Sequence, residues 1–202
     1  MEINKRKTQS TFKLGEFNCK ALIDEISKLD STDWDQKEDF ELNYNKGEGA
    51  LMQAKHLILR FINRRVEPYQ YLESKRWKLW KDMLLPIMTE IISPFGYRKP
   101  VFPKVMLANL PSGSFIPPHV DGDERGYVPH KIHLPLRTNE KAFFILDGKQ
   151  YHFAVGKAYE VNNGLRHAVA NQGKTDRIHL IFECLDYDLQ TEEIKKQMQG
   201  IL

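Results

Sequence analysis

Six of the seven histidines of this chain lie between His119 and His179. Two of them stand where they could share a metal ion with a carboxylate. In His119-Val120-Asp121 an imidazole and a carboxylate sit at i and i+2, and on extended backbone that spacing sends both side chains to the same side. His167 follows 46 residues after Asp121 and could bring a third ligand from another strand. Two histidines and one carboxylate on one face of a metal leave open positions opposite, the arrangement suited to non-haem Fe(II) and oxygen chemistry. A bare His-x-Asp is frequent, and any single histidine is as readily a hydrogen-bonded core residue. The later histidine in a strand-rich stretch gives the spacing its weight. Arg177 adds a second kind of signal. A hairpin folded around Asn171-Gln-Gly-Lys-Thr-Asp176 would set it roughly opposite His167. An inward arginine is costly unless an anion meets it, and its planar fork suits a carboxylate. The alternative is an edge arginine in solvent or paired with Asp176.

The elements that must position these groups change character near residue 100. Upstream, residues 17 to 100 read as mostly helical. Leu22, Ile23, Ile26 and Leu29 predict a short helix over Asn18–Leu29, which ends in the polar stretch Asp30-Ser-Thr-Asp-Trp34. The segment His56–Ile62, rich in branched residues, reads as a strand. A longer helix is expected from Glu73 to Ile92, with Trp77, Trp80, Leu84, Ile87 and Ile91 as its apolar stripe, a kink or break at Pro86 and Gly96 closing the segment. Downstream, strands are expected at Lys104–Leu110, Ile132–Leu136, Ala142–Leu146, Gln150–Val155, Ala158–Val161, His167–Asn171 and Arg177–Phe182. Asp147-Gly148 is a tight-hairpin signal, and short strands recurring at this spacing suggest an antiparallel sandwich or barrel. Leu189, Ile194 and Met198 place a polar helix after Asp186. The expected architecture is α+β: one domain over residues 1–202, with 1–100 as mainly helical support, 101–186 as a β-barrel core and 187–202 as a C-terminal helix.

Composition narrows the classes. The 202 residues are 41% hydrophobic and 28% charged, a globular balance that excludes a disordered or collagen-like chain. The net charge of +3 does not by itself make a nucleic-acid protein, because phosphate binding needs a basic face; none is expected. Two distant cysteines, Cys19 and Cys184, offer no disulfide framework or thiolate zinc cage. The first ten residues, MEINKRKTQS, carry no apolar signal core, and no run approaches the ~20 apolar residues of a membrane span. A cytoplasmic setting is expected.

The run Pro117-Pro-His119-Val-Asp121, then Lys131-Ile-His133-Leu-Pro-Leu136, His167-Ala-Val-Ala-Asn-Gln-Gly173 and Arg177-Ile-His179-Leu-Ile-Phe182 resembles the aspartyl/asparaginyl β-hydroxylase family, over roughly residues 101 to 186. Order, spacing and strand context all agree. The resemblance implies a double-stranded β-helix of jelly-roll type, Fe(II) held by His119, Asp121 and His167, and 2-oxoglutarate as cosubstrate. Arg177 would pair with the cosubstrate's distal carboxylate, and ascorbate is a further candidate cofactor. In the family an Arg-x-His pair also contacts the cosubstrate. The matching positions here are Lys131 and His133, so lysine replaces arginine and the fork is lost. Asp121 places the chain with the full-triad, proline-hydroxylase-like members. The implied reaction is hydroxylation of an amino-acid side chain, in a small molecule or a peptide, with release of succinate and CO2.

Two other readings compete: a cupin-like hydrolase or isomerase holding zinc or manganese on the same ligands, and a non-catalytic barrel module. Trp77 and Trp80 read as core packing, and Cys184 as a small core residue. Pro111-Ser-Gly-Ser114 reads as a turn leading into the metal ligands. Arg166, of opposite strand parity to His167, should point away. Asp123, Glu124 and Arg125 read equally as substrate contacts or as a solvated turn. Oligomeric state is open.

Overall fold

The structure is a computed structural model that describes residues 10–37, 39, 52–121 and 129–201. Two antiparallel sheets face one another. In chain order the elements are β1 (Thr11–Glu16), α1 (Lys20–Ile26), β2 (Lys55–Asn63), β3 (Gln70–Glu73), α2 (Lys75–Ile92), a 3-10 turn (Ser93–Phe95), β4 (Pro100–Leu110), β5 (Phe115–His119), β6 (His130–Arg137), β7 (Ala142–Leu146), β8 (Lys149–Tyr151), β9 (Lys157–Val161), β10 (His167–Asn171), β11 (Arg177–Asp186) and α3 (Glu192–Gln197). The larger sheet runs β1-β9-β6-β11-β4-β2-β3 and the smaller β5-β10-β7-β8. No helix among the described residues is long and apolar enough to cross a membrane.

Strand alternation divides the larger sheet into two environments. Ile178, Leu180, Phe182 and Cys184 of β11, with Ile132, Leu134 and Leu136 of β6, face the helices. They join Leu22 and Ile26 of α1 and Trp77, Trp80, Leu84, Ile87 and Ile91 of α2 in the main apolar core. The opposite face turns toward the smaller sheet. Part of it is apolar, where Leu110 and Val161 pack against Phe144, Leu146, Phe153 and Val169. The rest is polar, carrying Lys131, His133, Arg177, His179 and Glu183 at the alternate positions of β6 and β11. One face therefore supplies the burial that holds the sheet together, and the other is left for chemistry.

Several local expectations need correction. Among the described residues before position 100, β1 and β3 are strands that were not expected, and with β2, expected at His56–Ile62, they join the larger sheet beside α1 and α2. The apolar stripe of α2 is buried as expected, and Ser74 caps it, its Oγ accepting from the Trp77 N–H at 3.0 Å. The helix neither breaks nor stops at Pro86. Pro86 and Asp82, four residues back, are both exposed, so water can satisfy the carbonyl that loses its partner. Helix α1 is shorter than its apolar spacing suggested, and β8 ends at Tyr151. Strand β5 escaped detection because it contains Pro117 and Pro118; at a sheet edge their missing N–H groups break no ladder. The Asp147-Gly148 turn is as expected, with φ of 48° and 74° closing the Leu146↔Lys149 pair. Cys19 and Cys184 are free and buried.

Phe182 is fully buried and meets Phe102 edge-on at 5.8 Å between ring centroids. Phe182→Ala should cost about 3–5 kcal/mol of stability, whereas Leu79→Ala, at a position 79% exposed, should change it by under about 0.5 kcal/mol. Denaturant unfolding of the two variants measures both.

Candidate active site

His119 ends the edge strand β5, and His167 begins β10 directly opposite it in the ladder. This pairing brings residues far apart in sequence side by side, with imidazole centroids 4.2 Å apart. Asp121 lies just beyond β5, where its backbone N–H donates to the Asn163 carbonyl at 3.1 Å. One ligand atom from each of His119, Asp121 and His167 falls within 4.8 Å of the others. His119 Nε2 lies 3.5 Å from Asp121 Oδ1, and His167 Nε2 3.8 Å from Asp121 Oδ2.

Both imidazoles are oriented in the same way. His119 Nδ1 donates to the Pro117 carbonyl at 2.8 Å and His167 Nδ1 to the Leu165 carbonyl at 2.9 Å. With the Nδ1 proton so engaged, each Nε2 presents a lone pair toward Asp121. A phenyl ring backs the site: Phe144 stacks on His167 with centroids 5.6 Å apart. Burial pushes the His167 pKa down against the pull of Asp121, which favours the neutral, ligating form. Burial alone would raise the Asp121 pKa, but Lys131, His167 and His119 outweigh it and hold the carboxyl well below its usual range.

The turn between β10 and β11 fixes Arg177 relative to this group. Asn171 is fully buried; its Nδ2 donates to the Leu110 carbonyl at 2.9 Å and to the Thr175 carbonyl at 3.0 Å. Its Oδ1 accepts from Asn139 Nδ2 at 2.9 Å and from the Gly173 N–H at 3.2 Å. A Cβ on Gly173 would fall 1.9 Å from Asn139 Oδ1, so a larger residue in the turn would have to displace the Asn139 amide from its bonds to Asn171 and Thr175. The turn at Pro111–Ser114 closes against it, with Ser112 Oγ donating to the Gly173 carbonyl at 2.6 Å.

Arg177 is 4% exposed. Its Nη2 donates to His179 Nδ1 at 2.8 Å, and its guanidinium lies 5.8 Å from the Phe144 ring centroid. Among the described residues no carboxylate pairs with it. Asp176 is engaged elsewhere, accepting from Asn109 Nδ2 and from the Ser112 N–H, each at 3.2 Å. Burial pushes the Arg177 pKa down to about 9, so the group is still a cation at neutral pH. Because arginine only donates, His179 Nδ1 is an acceptor and its proton sits on Nε2. His133 Nδ1, 3.5 Å away, then points its N–H at the same atom. Both Nε2 atoms are buried without a hydrogen-bond partner. A cation and two unpaired imidazole nitrogens thus line one buried patch beside the triad.

Lys131 extends toward Asp121, and its ammonium contacts Oδ2. Burial would lower its pKa, but the Asp121 carboxylate raises it overall. Arg166 is exposed while His167 is buried, as strand parity implies. Asp123, Glu124 and Arg125 lie outside the described residues, as do residues 1–9. His179, absent from the sequence-derived set, belongs to the patch; its spacing of two from Arg177 on a strand was the signal.

The family model for aspartyl/asparaginyl beta-hydroxylase matches residues 16–186. The chain belongs to that family. Solved structures similar to it share its fold at low sequence identity. A prolyl hydroxylase from Trichoplax adhaerens, solved with a hypoxia inducible factor peptide, is 12% identical at a TM-score of 0.60, covering 98% of this chain and 90% of that one. A 2OG-Fe(II) oxygenase family oxidoreductase from Burkholderia pseudomallei is 14% identical at 0.57, over 91% and 90%. A viral collagen prolyl hydroxylase from Paramecium Bursaria Chlorella virus-1, solved with 2OG, is 13% identical at 0.52, over 87% and 96%. The two facing sheets are accordingly the double-stranded β-helix of these enzymes, with a short helix after it. No curated protein matches the chain by sequence.

The buried histidines make the fold sensitive to acid. His133 and His179 are both pushed well below the ordinary imidazole pKa, by burial first and then by Lys131 and Arg177 for His133 and by Arg177 for His179. They stay neutral when folded and take up protons when unfolded, so stability is retained above about pH 6.5 and lost as pH falls below it. The slope should reach about 1.4 kcal/mol per pH unit for each histidine. Urea unfolding between pH 7 and 5 should show it, and His179→Asn should flatten it.

Proposed function

We propose that this chain is an Fe(II)- and 2-oxoglutarate-dependent dioxygenase, one domain throughout, that hydroxylates an amino-acid side chain. The observation that carries the reading is the convergence of His119 Nε2, Asp121 and His167 Nε2 beside a buried arginine with no carboxylate partner. The donor set fits the metal: two neutral imidazoles with fixed tautomers and one ionised carboxylate suit a divalent ion that keeps open positions. The patch at Arg177 fits a dicarboxylate, because an unpaired buried guanidinium is relieved by an anion that can take both of its parallel N–H groups.

His119, Asp121 and His167 would hold the iron, and Arg177 would take the far carboxylate of 2-oxoglutarate. His133 and His179 line the same pocket and offer one acceptor and one donor Nε2. Lys131 and His133 are the other candidate cosubstrate contacts, with His133 the deeper of the two. Bound there, the metal and the 2-oxo acid supply the power to place one oxygen atom of O2 on a C–H bond, releasing succinate and CO2. The protein's part is geometric and electrostatic. The β5–β10 ladder sets the ligand spacing, the carbonyls of Pro117 and Leu165 hold the imidazoles in place, and Phe144 and Phe153 keep the pocket apolar around its charged end.

The structurally similar prolyl hydroxylases, one of them solved with a peptide, support a side chain in an amino acid or peptide as the class of substrate. A screen of free amino acids and short peptides for succinate release, followed by mass analysis for one added oxygen, tests this. Anaerobic Fe(II) with 2-oxoglutarate should give a weak visible charge-transfer band. An unchanged spectrum, with no succinate formed in air, would refute the assignment. Arg177→Ala should raise the Kd for 2-oxoglutarate by roughly a hundredfold, the scale of a lost buried charge-assisted contact, while Fe(II) affinity stays within about threefold. A metallohydrolase on the same ligands would barely notice the change.

A further inference from the structure

The inward face of the larger sheet carries a row of alternating charge that leads away from the triad. Lys131 of β6 stands directly opposite Glu183 of β11, and Glu183 directly opposite Lys104 of β4. The Lys131 ammonium contacts Asp121 Oδ2. Glu183 is 6% exposed; its Oε1 accepts from Lys104 Nζ at 3.2 Å, and its Oε2 is buried with no hydrogen-bond partner. A buried charged oxygen without a donor is costly. Lys131, its cross-strand neighbour, is a cation on a long flexible stem.

Asp121 has the opposite difficulty. The oxygen that holds the Lys131 ammonium is also the one 3.8 Å from His167 Nε2. A divalent ion among the three ligands and an ammonium on the same carboxylate would compete for its lone pairs and repel each other. We propose that Lys131 is a positioning residue with two stations. In the metal-free protein it neutralises and holds Asp121. When a divalent cation takes that carboxylate, Lys131 turns to Glu183 Oε2, so Glu183 makes metal loading favourable. No bond is broken; one ion pair is exchanged for another. The inference rests on reading His119, Asp121 and His167 as the metal ligands.

The test is a titration of the metal-free protein with Co(II) alone, without cosubstrate, read by visible absorption and calorimetry. Wild type should bind one Co(II). Lys131→Met, which removes the competitor, should bind it about tenfold tighter, and Glu183→Gln, which removes the second station, about tenfold more weakly, the coupling typical of contacting charged groups. The double variant should match Lys131→Met within about threefold, because Glu183 matters only while Lys131 is present. Glu183→Asp keeps the charge but withdraws it by one methylene, and should weaken binding as Glu183→Gln does; it also serves if the glutamine variant does not fold. Equal weakening by Glu183→Gln with and without Lys131 would show Glu183 acting only as a distant negative charge, and would overturn the exchange. So would weaker binding by Lys131→Met. Wild type binding no Co(II) would instead remove the metal assignment and this inference with it.

Discussion

A guanidinium buried without a counter-ion is the constraint on which this site turns. Moving a charge out of water costs far more than any single contact in the barrel returns, so Arg177 at 4% exposure needs compensation. The chain supplies only part: the His179 Nδ1 acceptor and the face of Phe144. Both neighbouring histidines are kept neutral by the same burial, which avoids stacking further positive charge against the arginine. An anionic ligand would match the remaining deficit, which is why the patch is proposed as a binding site. Part of the stability given up here is regained on the other side of the same strand, where Ile178, Leu180, Phe182 and Cys184 are all buried in the main core.

Precision at the candidate metal ligands comes from backbone and not from packing alone. His119 and His167 are opposed by ladder register, and each ring is turned by a bond to the carbonyl two residues before it. Register in a sheet is all or nothing, since a slip of one residue moves every side chain to the other face. The bulge between His167 and Val169 is where the ladder adjusts to keep the histidine inward. Asn171, with its four hydrogen bonds, holds the following turn, and through it the start of β11. The candidate ligand triad and the Arg177 patch therefore depend on the β5–β10 register and on a single amide.

The grouping of the candidate residues showed in the sequence more fully than the architecture around it. Period-two alternation on β11 and β6 carries its own evidence, because the polar groups at 131, 133, 177 and 179 alternate with Ile132, Leu134, Ile178 and Leu180. The α2 stripe was equally plain. Strands β1 and β3 were not, since their partners, β9 for β1 and β2 for β3, are set by tertiary pairing, and each offers at most four patterned residues, Thr11–Leu14 in β1 and Gln70–Glu73 in β3. Strand β5 was hidden by Pro117 and Pro118, residues that ordinarily argue against a strand and are tolerated here by its edge position. Nor could spacing reveal that Lys131 reaches Asp121, because the contact joins a residue beyond one strand to the start of another across the cavity.

That contact bears on why a lysine stands at position 131, where the resemblance implies an arginine. An arginine there would present a rigid fork, able to bind a carboxylate through two parallel bonds but too broad to move easily between partners. A lysine gives up the fork for a point charge on four methylenes; here it contacts Asp121 and stands opposite Glu183 in the ladder. Lysine at this position leaves Arg177 as the one buried guanidinium among the described residues at the site. On the proposed reading the duties of an Arg-x-His pair are divided here: anion binding would fall to Arg177 with the two histidines, and the lysine would balance the charge of the Asp121 carboxylate it contacts.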